Sequence, residues 1–424
     1  MEWTDKKILI FGKGKSGRAA YRRLESLGAT PVFYDDNDFE GEERQCSFLQ
    51  AEDTDWDTVI LSPAVKPDHP LLAALARRGV PTISEIDFGW MINPCKTVAV
   101  TGTNGKTTTV RQIEKLLSDS GVAALAVGNI GVPFCGVERP LDVAVVEISS
   151  FQCHQSALFT PTVAAITNVE PDHIEWHGDL HAYREAKLKL LRMAQSYALN
   201  ADDPDLPRIA GKPCYPYSLV DTASTAFVEG RTVKVRDAGR VYEVAKVEDL
   251  PLRGNHNLYN VLCALALTVA VVGYRATFTD SVLTFRGERM RVERLTDRRP
   301  YVYNDSKGTN TAATIAAMRQ MVGDTVLLVG GWDKGEDFTR LFMQLPRGVS
   351  IVAFGAAGVR IYREALLSGF REVAYAATVA DAVRLAFRQD KDNILFSPAC
   401  SSFDAYSSYV ERGLDFEKEV RRYV

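Results

Sequence analysis

Val100-Thr101-Gly102-Thr103-Asn104-Gly105-Lys106-Thr107 is the stretch from which the fold can be read. Ahead of it Thr97 to Val100 is an apolar β run; behind it Val110, Ile113 and Leu117 recur on one helical face. Strand, glycine loop, Lys-Thr and helix together give the setting of a phosphate-binding loop. Glycines let backbone N–H groups turn toward phosphate oxygens with no Cβ in the way. The start of the following helix adds positive potential. Gly102, Thr103, Asn104, Gly105 and Thr108 would surround a nucleotide triphosphate, Lys106 would neutralise its outer phosphates and Thr107 would hold Mg²⁺. The usual first glycine of the motif is Val100 here, so the match is partial. The competing reading is a plain strand–turn–helix with an exposed Lys106.

Upstream, Lys7 to Phe11 is a β run, followed by Gly12-Lys13-Gly14-Lys15-Ser16-Gly17 and an amphipathic stretch from Arg18 to Leu27. Thr30 to Tyr34 ends in Asp35-Asp36, and Thr58 to Leu61 ends in Ser62-Pro63. This is a βαβ pattern with parallel strands. The G-x-G-x-x-G loop, with Asp35 about 20 residues on, admits three readings: a dinucleotide site, the pyrophosphate of another nucleotide such as UDP, or a tight turn with no ligand. A second nucleotide loop at Lys106 favours the UDP-type ligand.

Downstream, Glu147 and Ser149 follow the strand Asp142 to Val146, and Asn168 to His173 follow Val163 to Ile166. Residues just past parallel strand ends line a ligand crevice. Glu147 and His173 are therefore candidate metal ligands beside the phosphate loop. His173 and His177 do not read as a zinc pair, because Gly178 follows and no H-E-x-x-H is present. Lys187, in a helical stretch from Ala182 to Leu191 beside Lys189, reads on its own as a solvated lysine. Residues 213–252 suggest short antiparallel strands inserted before the helix Asn257 to Val269. Thr325 to Val329, Ser350 to Phe354 and Asn393 to Phe396 alternate with helical patterns, a further open α/β sheet. The expected blocks are 1–93, 94–296 and 297–424.

With 424 residues the chain is long enough for three domains. Its net charge of -4, with acids and bases mixed, gives no reason to expect nucleic acid or a membrane surface. Seven scattered cysteines without C-x-x-C read as reduced thiols of a cytoplasmic protein. Met1 to Asp5 shows no signal-peptide pattern. Val261 to Val272 falls short of the ~20 residues of a spanning helix, so no membrane insertion is expected.

In order, Thr101 to Thr107, Glu147-Ile148-Ser149-Ser150-Phe151-Gln152, Asn168 to His173, Gly254 to Asn260, Asn304 to Asn310, Gly330 to Gly335 and Ser397 to Asp404 resemble the Mur ligase family, and its D-glutamate-adding branch in particular. The resemblance covers essentially the whole chain. It implies a Rossmann-like N-terminal domain for UDP, a central P-loop ATPase domain and a Rossmann-like C-terminal domain for the amino acid. ATP would lie on the Lys106 loop with Asn257, Asn260, Arg291 and Asp305 around the adenosine. One or two Mg²⁺ ions would be held by Thr107, Glu147, His173 and a carbamoylated Lys187. The UDP end of a UDP-sugar peptide precursor would meet Lys15, Ser16, Asp35 and Asp36; the muramoyl part would meet Gly128 and Asn129, and Ser149 is a further substrate-binding candidate. D-glutamate would meet Thr309, Lys334, Ser402 and Tyr409. The implied role is in peptidoglycan precursor synthesis, and the expected state is a monomer.

Ala64 stands where the family usually has glycine, Tyr409 where phenylalanine is frequent, and Phe285 to Arg291 lacks the usual His before its Arg. The diamino-acid-adding relatives carry Asp-Asn-Pro-Arg, which is absent here. The alternatives are an L-alanine-adding relative, a dinucleotide-dependent oxidoreductase, and a nucleotide switch that hydrolyses ATP to move a partner.

Overall fold

The computed structural model describes residues 2–37, 43–252, 254–333, 335–346 and 348–424, so Lys334 lies outside the described residues. The chain divides into two compact units, Met1–Phe285 and Arg286–Val424.

The first unit carries two sheets. The smaller has four parallel strands in the order Thr30–Tyr34, Lys7–Phe11, Thr58–Leu61, Thr82–Ser84. The glycine loop at Gly12 runs directly into the helix Lys15–Ser26, which starts earlier than the expected Arg18 and so takes Lys15 and Ser16 into its first turn. The larger sheet has nine strands, and its centre is Lys96–Thr101 flanked by Val143–Glu147 and Val163–Ile166, all parallel. Val98 to Val100, Val143 to Val146 and Val163 to Ile166 form buried apolar runs because both faces of the sheet are covered.

The segment expected to form an antiparallel insert does so only in part. Cys214–Ser218 pairs parallel with Ser196–Asn200 and with Ala226–Glu229, extending the same sheet. Only the last three strands, Ala226–Glu229, Thr232–Asp237 and Arg240–Lys246, run antiparallel. Their alternation of apolar and charged residues signalled a half-exposed sheet edge, but such a pattern says nothing about which partner lies on the inner side. The helix Asn255–Val272 is apolar and long enough to cross a membrane by length and composition, yet 67% of it is buried. It packs as a core helix against the phosphate-loop helix Lys106–Asp119.

The second unit is a six-stranded sheet in the order Glu293–Arg294, Tyr301–Asn304, Asn393–Ala399, Thr325–Gly330, Ser350–Phe354, Val373–Ala376. Only the first pair is antiparallel. The fold is therefore α/β with parallel-dominated sheets.

Candidate active site

Because three central strands of the nine-stranded sheet run parallel, the loops that leave their C-terminal ends emerge side by side. The middle loop is the one around Lys106. Gly102 has φ of 152°, and a Cβ there would lie 1.9 Å from Thr167 Oγ1; no other residue fits. Neighbouring side chains lace the loop. Thr103 N donates to Asn168 O at 3.0 Å, Asn104 N to Asn168 Oδ1 at 2.9 Å, and Asn104 Nδ2 to Glu170 Oε2 at 3.1 Å. The Lys106 ammonium arches over the loop and donates to the carbonyls of Gly102 and Thr103 at 2.9 and 3.0 Å. Thr107 is buried in the first helical turn, with Thr108 next to it. Asn260 comes in from the core helix: its Oδ1 accepts from Thr109, its Nδ2 donates to Asn257 Oδ1, both at 3.4 Å. The structure thus brings Gly102 to Thr108 together with Asn257 and Asn260.

Glu147 ends the neighbouring strand, in register with Gly128. Its Oε1 accepts from Asn129 Nδ2 at 2.9 Å, while its Oε2 is buried without a hydrogen-bond partner. A dry carboxylate oxygen is costly unless a cation sits against it, so Glu147 suits a divalent ion that prefers oxygen ligands. His173 adopts a left-handed backbone, φ 51°, at the start of the short helix Ile174–His177. Its ring is half exposed, 3.5 Å from Asp172 and 4.9 Å from Phe151. Among the described residues, no three Asp, Glu, His or Cys side chains gather as a metal cluster. Ser149 closes a capping box with Gln152, which commits its hydroxyl to the helix Ser150–Gln155.

Lys187 overturns its reading as a solvated lysine. Only 1% of it is exposed, in the helix Leu180–Met193. The helical spacing places Tyr183, Lys187, Leu190 and Leu191 on the inward side, and the charge pattern of the segment concealed it. The Lys187 ammonium lies 4.5 Å over the Tyr183 ring, and Tyr183 Oη is hydrogen-bonded to Thr103 Oγ1 at 2.9 Å. One tyrosine therefore ties the lysine to the phosphate loop. Burial pushes the Lys187 pKa down to about 7; Lys106 lowers it further, and Asp172 opposes the shift. Its amine is poised between charged and neutral forms near neutral pH.

At the four-stranded sheet, Ser62 Oγ donates to Gly12 O at 3.0 Å. Asp35 Oδ2 accepts from Lys13 N at 2.7 Å, and its Oδ1 accepts from both the backbone and side chain of Asn37. Both carboxylate oxygens are thus engaged by the chain itself, which fixes Asp35 at the edge of the Gly12 loop. Asp36 Oδ1 accepts from Tyr34 Oη at 2.7 Å and pairs with His69 Nε2 at 3.0 Å. Lys15 Nζ donates to Gly131 O, joining the Gly12 loop to the segment that follows Gly128 and Asn129.

In the second unit Asp305 is buried, accepts from Ser397 Oγ at 2.6 Å, and has its pKa raised to about 6 by that burial. Arg291 is exposed, 3.7 Å from Glu288. Thr309 follows on the Asp305 loop, Ser402 is buried, and Tyr409 opens the helix Tyr409–Val420. Arg291, Asp305, Thr309, Ser402 and Tyr409 thus lie in a different compact unit from the Lys106 loop. Sequence reasoning did not single out Tyr183 or the Asn168 side chain as parts of the phosphate loop. For Tyr183 the signal was its spacing, one turn before Lys187.

Residues 100–268 match the family described as Mur ligase middle domain. The chain is 32% identical to a UDP-N-acetylmuramoylalanine–D-glutamate ligase of Alkaliphilus metalliredigens, covering 99% of each chain. It is 34% identical to the enzyme of the same name from Koribacter versatilis, covering 100% of this chain and 98% of that one. Among solved structures, it is similar to a pseudomurein peptide ligase type C from Methanothermus fervidus, with a TM-score of 0.58 at 18% identity over 99% of this chain and 100% of the other. A UDP-N-acetylmuramate-alanine ligase from Thermotoga maritima gives 0.58 at 19% identity, with the same coverage.

Proposed function

Because the chain belongs to the Mur ligase family, we propose that it joins D-glutamate to UDP-N-acetylmuramoyl-L-alanine, converting ATP to ADP and phosphate. The substrate carboxylate attacks the γ-phosphorus of ATP and forms an acyl phosphate with release of ADP. The D-glutamate amine then attacks the acyl carbon, and phosphate leaves. The Lys106 loop supplies aligned N–H donors and one cation for the charge that develops on the transferring phosphoryl oxygens. The observation that carries this reading is the Thr103–Tyr183–Lys187 chain on the phosphate loop, with a buried Glu147 oxygen that has no hydrogen-bond partner at the end of the adjacent strand.

Mg²⁺ would be held by Thr107, Glu147 and His173, and when bound it supplies Lewis-acid stabilisation of the phosphoryl oxygens. Lys187 would join them as a carbamate. A neutral amine reacts with CO₂, losing a proton as the N–C bond forms, and the product presents oxygens to the metal. Burial keeps a share of this amine neutral at pH 7. The UDP end would lie along Lys15, Ser16, Asp35 and Asp36, the muramoyl part at Gly128 and Asn129, with Ser149 a further substrate contact. Arg291 and Asp305 would face adenosine; Thr309, Lys334, Ser402 and Tyr409 would receive D-glutamate. These roles correspond to functional domains 1–93, 94–296 and 297–424. We place the reaction in the cytoplasm, within peptidoglycan precursor synthesis, and expect a monomer.

A phosphate-release assay over a panel of UDP-sugar precursors and amino acids tests the reading. Phosphate is expected only when UDP-N-acetylmuramoyl-L-alanine and D-glutamate are both present. Equal turnover with UDP-N-acetylmuramate and L-alanine would assign the L-alanine-adding activity instead. Lys106→Ala should slow ligation by about 10²–10³-fold.

A further inference from the structure

The largest fully buried side chain in the second unit is Arg412, with 0% exposure. It stands on the helix Tyr409–Val420, on the same inward stripe as Phe416 and Val420. Among the described residues, no carboxylate is hydrogen-bonded to it. Its guanidinium instead reaches four oxygens: Nε donates to Ser306 Oγ at 3.1 Å and Nη2 to Ser306 O at 2.8 Å, while Nη1 donates to both Cys400 O and Ser401 O at 3.0 Å. Ser306 Oγ also donates to Tyr409 O at 2.8 Å. Gly331 packs against the same group: a Cβ there would lie 2.9 Å from Arg412 Nη1 and 2.4 Å from Ser401 O, at a φ of 131°. Trp332 N and O exchange hydrogen bonds with Ser401 O and N at 2.9 and 3.1 Å.

Three pieces of chain therefore meet one guanidinium, and a fourth is tied to them through Ser306. They are the loop Asp305 to Thr309, the segment Cys400 to Ser402, the Gly331-Trp332 turn and the start of the last helix. We propose that Arg412 is a positioning residue for the amino-acid substrate, setting the mutual placement of Thr309, Ser402 and Tyr409 without touching the substrate itself. Its full burial and its bonds to oxygens of the chain exclude it as a direct ligand for a carboxylate. A planar cation serves better than a neutral side chain because its forked N–H groups reach two serine-motif carbonyls and one loop residue in a fixed geometry. The inference rests on the assignment of the D-glutamate contacts to these loops.

The test is steady-state kinetics of full-length Arg412→Met, Arg412→Lys, Ser306→Ala and Ser402→Ala, with D-glutamate and the UDP precursor varied in turn. Misplacement of positioning groups by about 1 Å can cost ~10²-fold. Arg412→Met should raise the D-glutamate KM by about tenfold or more, leave the KM for the UDP precursor within about twofold, and be partly restored in Arg412→Lys. Should Arg412→Met fail to fold, Ser306→Ala decides: it removes the Nε acceptor and the Tyr409 tie, and should raise the same KM severalfold. An unchanged D-glutamate KM in Arg412→Met or, failing that, in Ser306→Ala, overturns the inference. If Ser402→Ala alone leaves that KM unchanged, the direct serine contact is wrong and the positioning role stands.

Discussion

Lys187 and Arg412 are both cations withdrawn from water, at 1% and 0% exposure, and the chain treats them in opposite ways. Arg412 is given four hydrogen-bonding oxygens on two loops, and burial brings its pKa down only to about 10. It remains charged at neutral pH and works as a scaffold. Lys187 is given the face of a tyrosine ring, and its pKa falls to about 7. A buried ammonium loses its hydration, and that loss favours the neutral amine. The same expulsion from water thus produces a permanent strut in one place and a nucleophilic amine in the other. Burial lowers the pKa of both groups; the guanidinium starts from the higher ordinary value and stays charged, while the amine falls into the range where it is partly neutral.

Activity offers the widest separation between the two. Lys187→Met should lower kcat by about 10²–10³-fold, as expected when a group that stabilises developing charge is lost. A Lys187→Ala variant should regain part of the rate with added acetate, whose oxygens fill the vacated space. Arg412→Met should leave kcat at saturating D-glutamate within about threefold, the mark of lost uniform binding. Rapid-quench and steady-state measurements of the two variants would break the contrast if both lose kcat alike.

Stability should separate them by sign. In buffer free of CO₂, metal and nucleotide, the Lys187 amine binds its proton more weakly when folded, about 7 against 10.5 when unfolded. Stability is therefore full above pH 10.5, is lost as the pH falls toward 7, and is flat below. Lys187→Met removes that loss, so it should be more stable than the parent at pH 6 by ~1–4 kcal/mol, with the difference closing toward pH 10. Arg412→Met should be less stable throughout, by roughly 1–3 kcal/mol for each oxygen left without a donor. Urea melts at pH 6, 8 and 10 measure both. A destabilised Lys187→Met at pH 6 would mean that its ammonium has partners worth more than its burial costs.

Much of this contrast was hidden in the sequence, for a specific reason. The strands Lys7–Phe11, Thr30–Tyr34, Val163–Ile166 and Ser350–Phe354 were legible because each is a bounded apolar run. The Lys106 loop was legible because its glycines and Lys-Thr sit between a strand and a helix. Lys187 was not, since a lysine among Arg184, Glu185 and Lys189 gives the pattern of a solvated face; only resemblance to a family drew attention to it. Arg412 carried a readable sign, a cation on the Phe416–Val420 stripe, but its four acceptors come from residues about a hundred positions away as well as from nearby ones. The parallel pairing of Cys214–Ser218 was missed likewise, because pairing partners are set by tertiary packing and not by local alternation.

The smallest effect belongs to Cys153, and it sharpens what sets Lys187. Cys153 is buried, and as a thiolate it would hold Lys187 in its charged form. Burial, however, pushes the thiol itself up to about 11. In the range where Lys187 titrates, near 7, the thiol is neutral and has no charge to offer. Desolvation is then the dominant influence on the amine, with Lys106 and Asp172 adding opposing terms. Cys153→Ala should therefore leave the pH dependence of the melting midpoint between 6 and 9 in place, changing overall stability by ~1 kcal/mol for the small cavity. Asp172→Asn removes a real charge and should steepen the stability loss below pH 8 slightly, because the amine then binds its proton still more weakly. If Cys153→Ala shifts the pH profile more than Asp172→Asn does, the thiol carries charge near neutrality, and the amine beside it is an ion-pair partner of a thiolate.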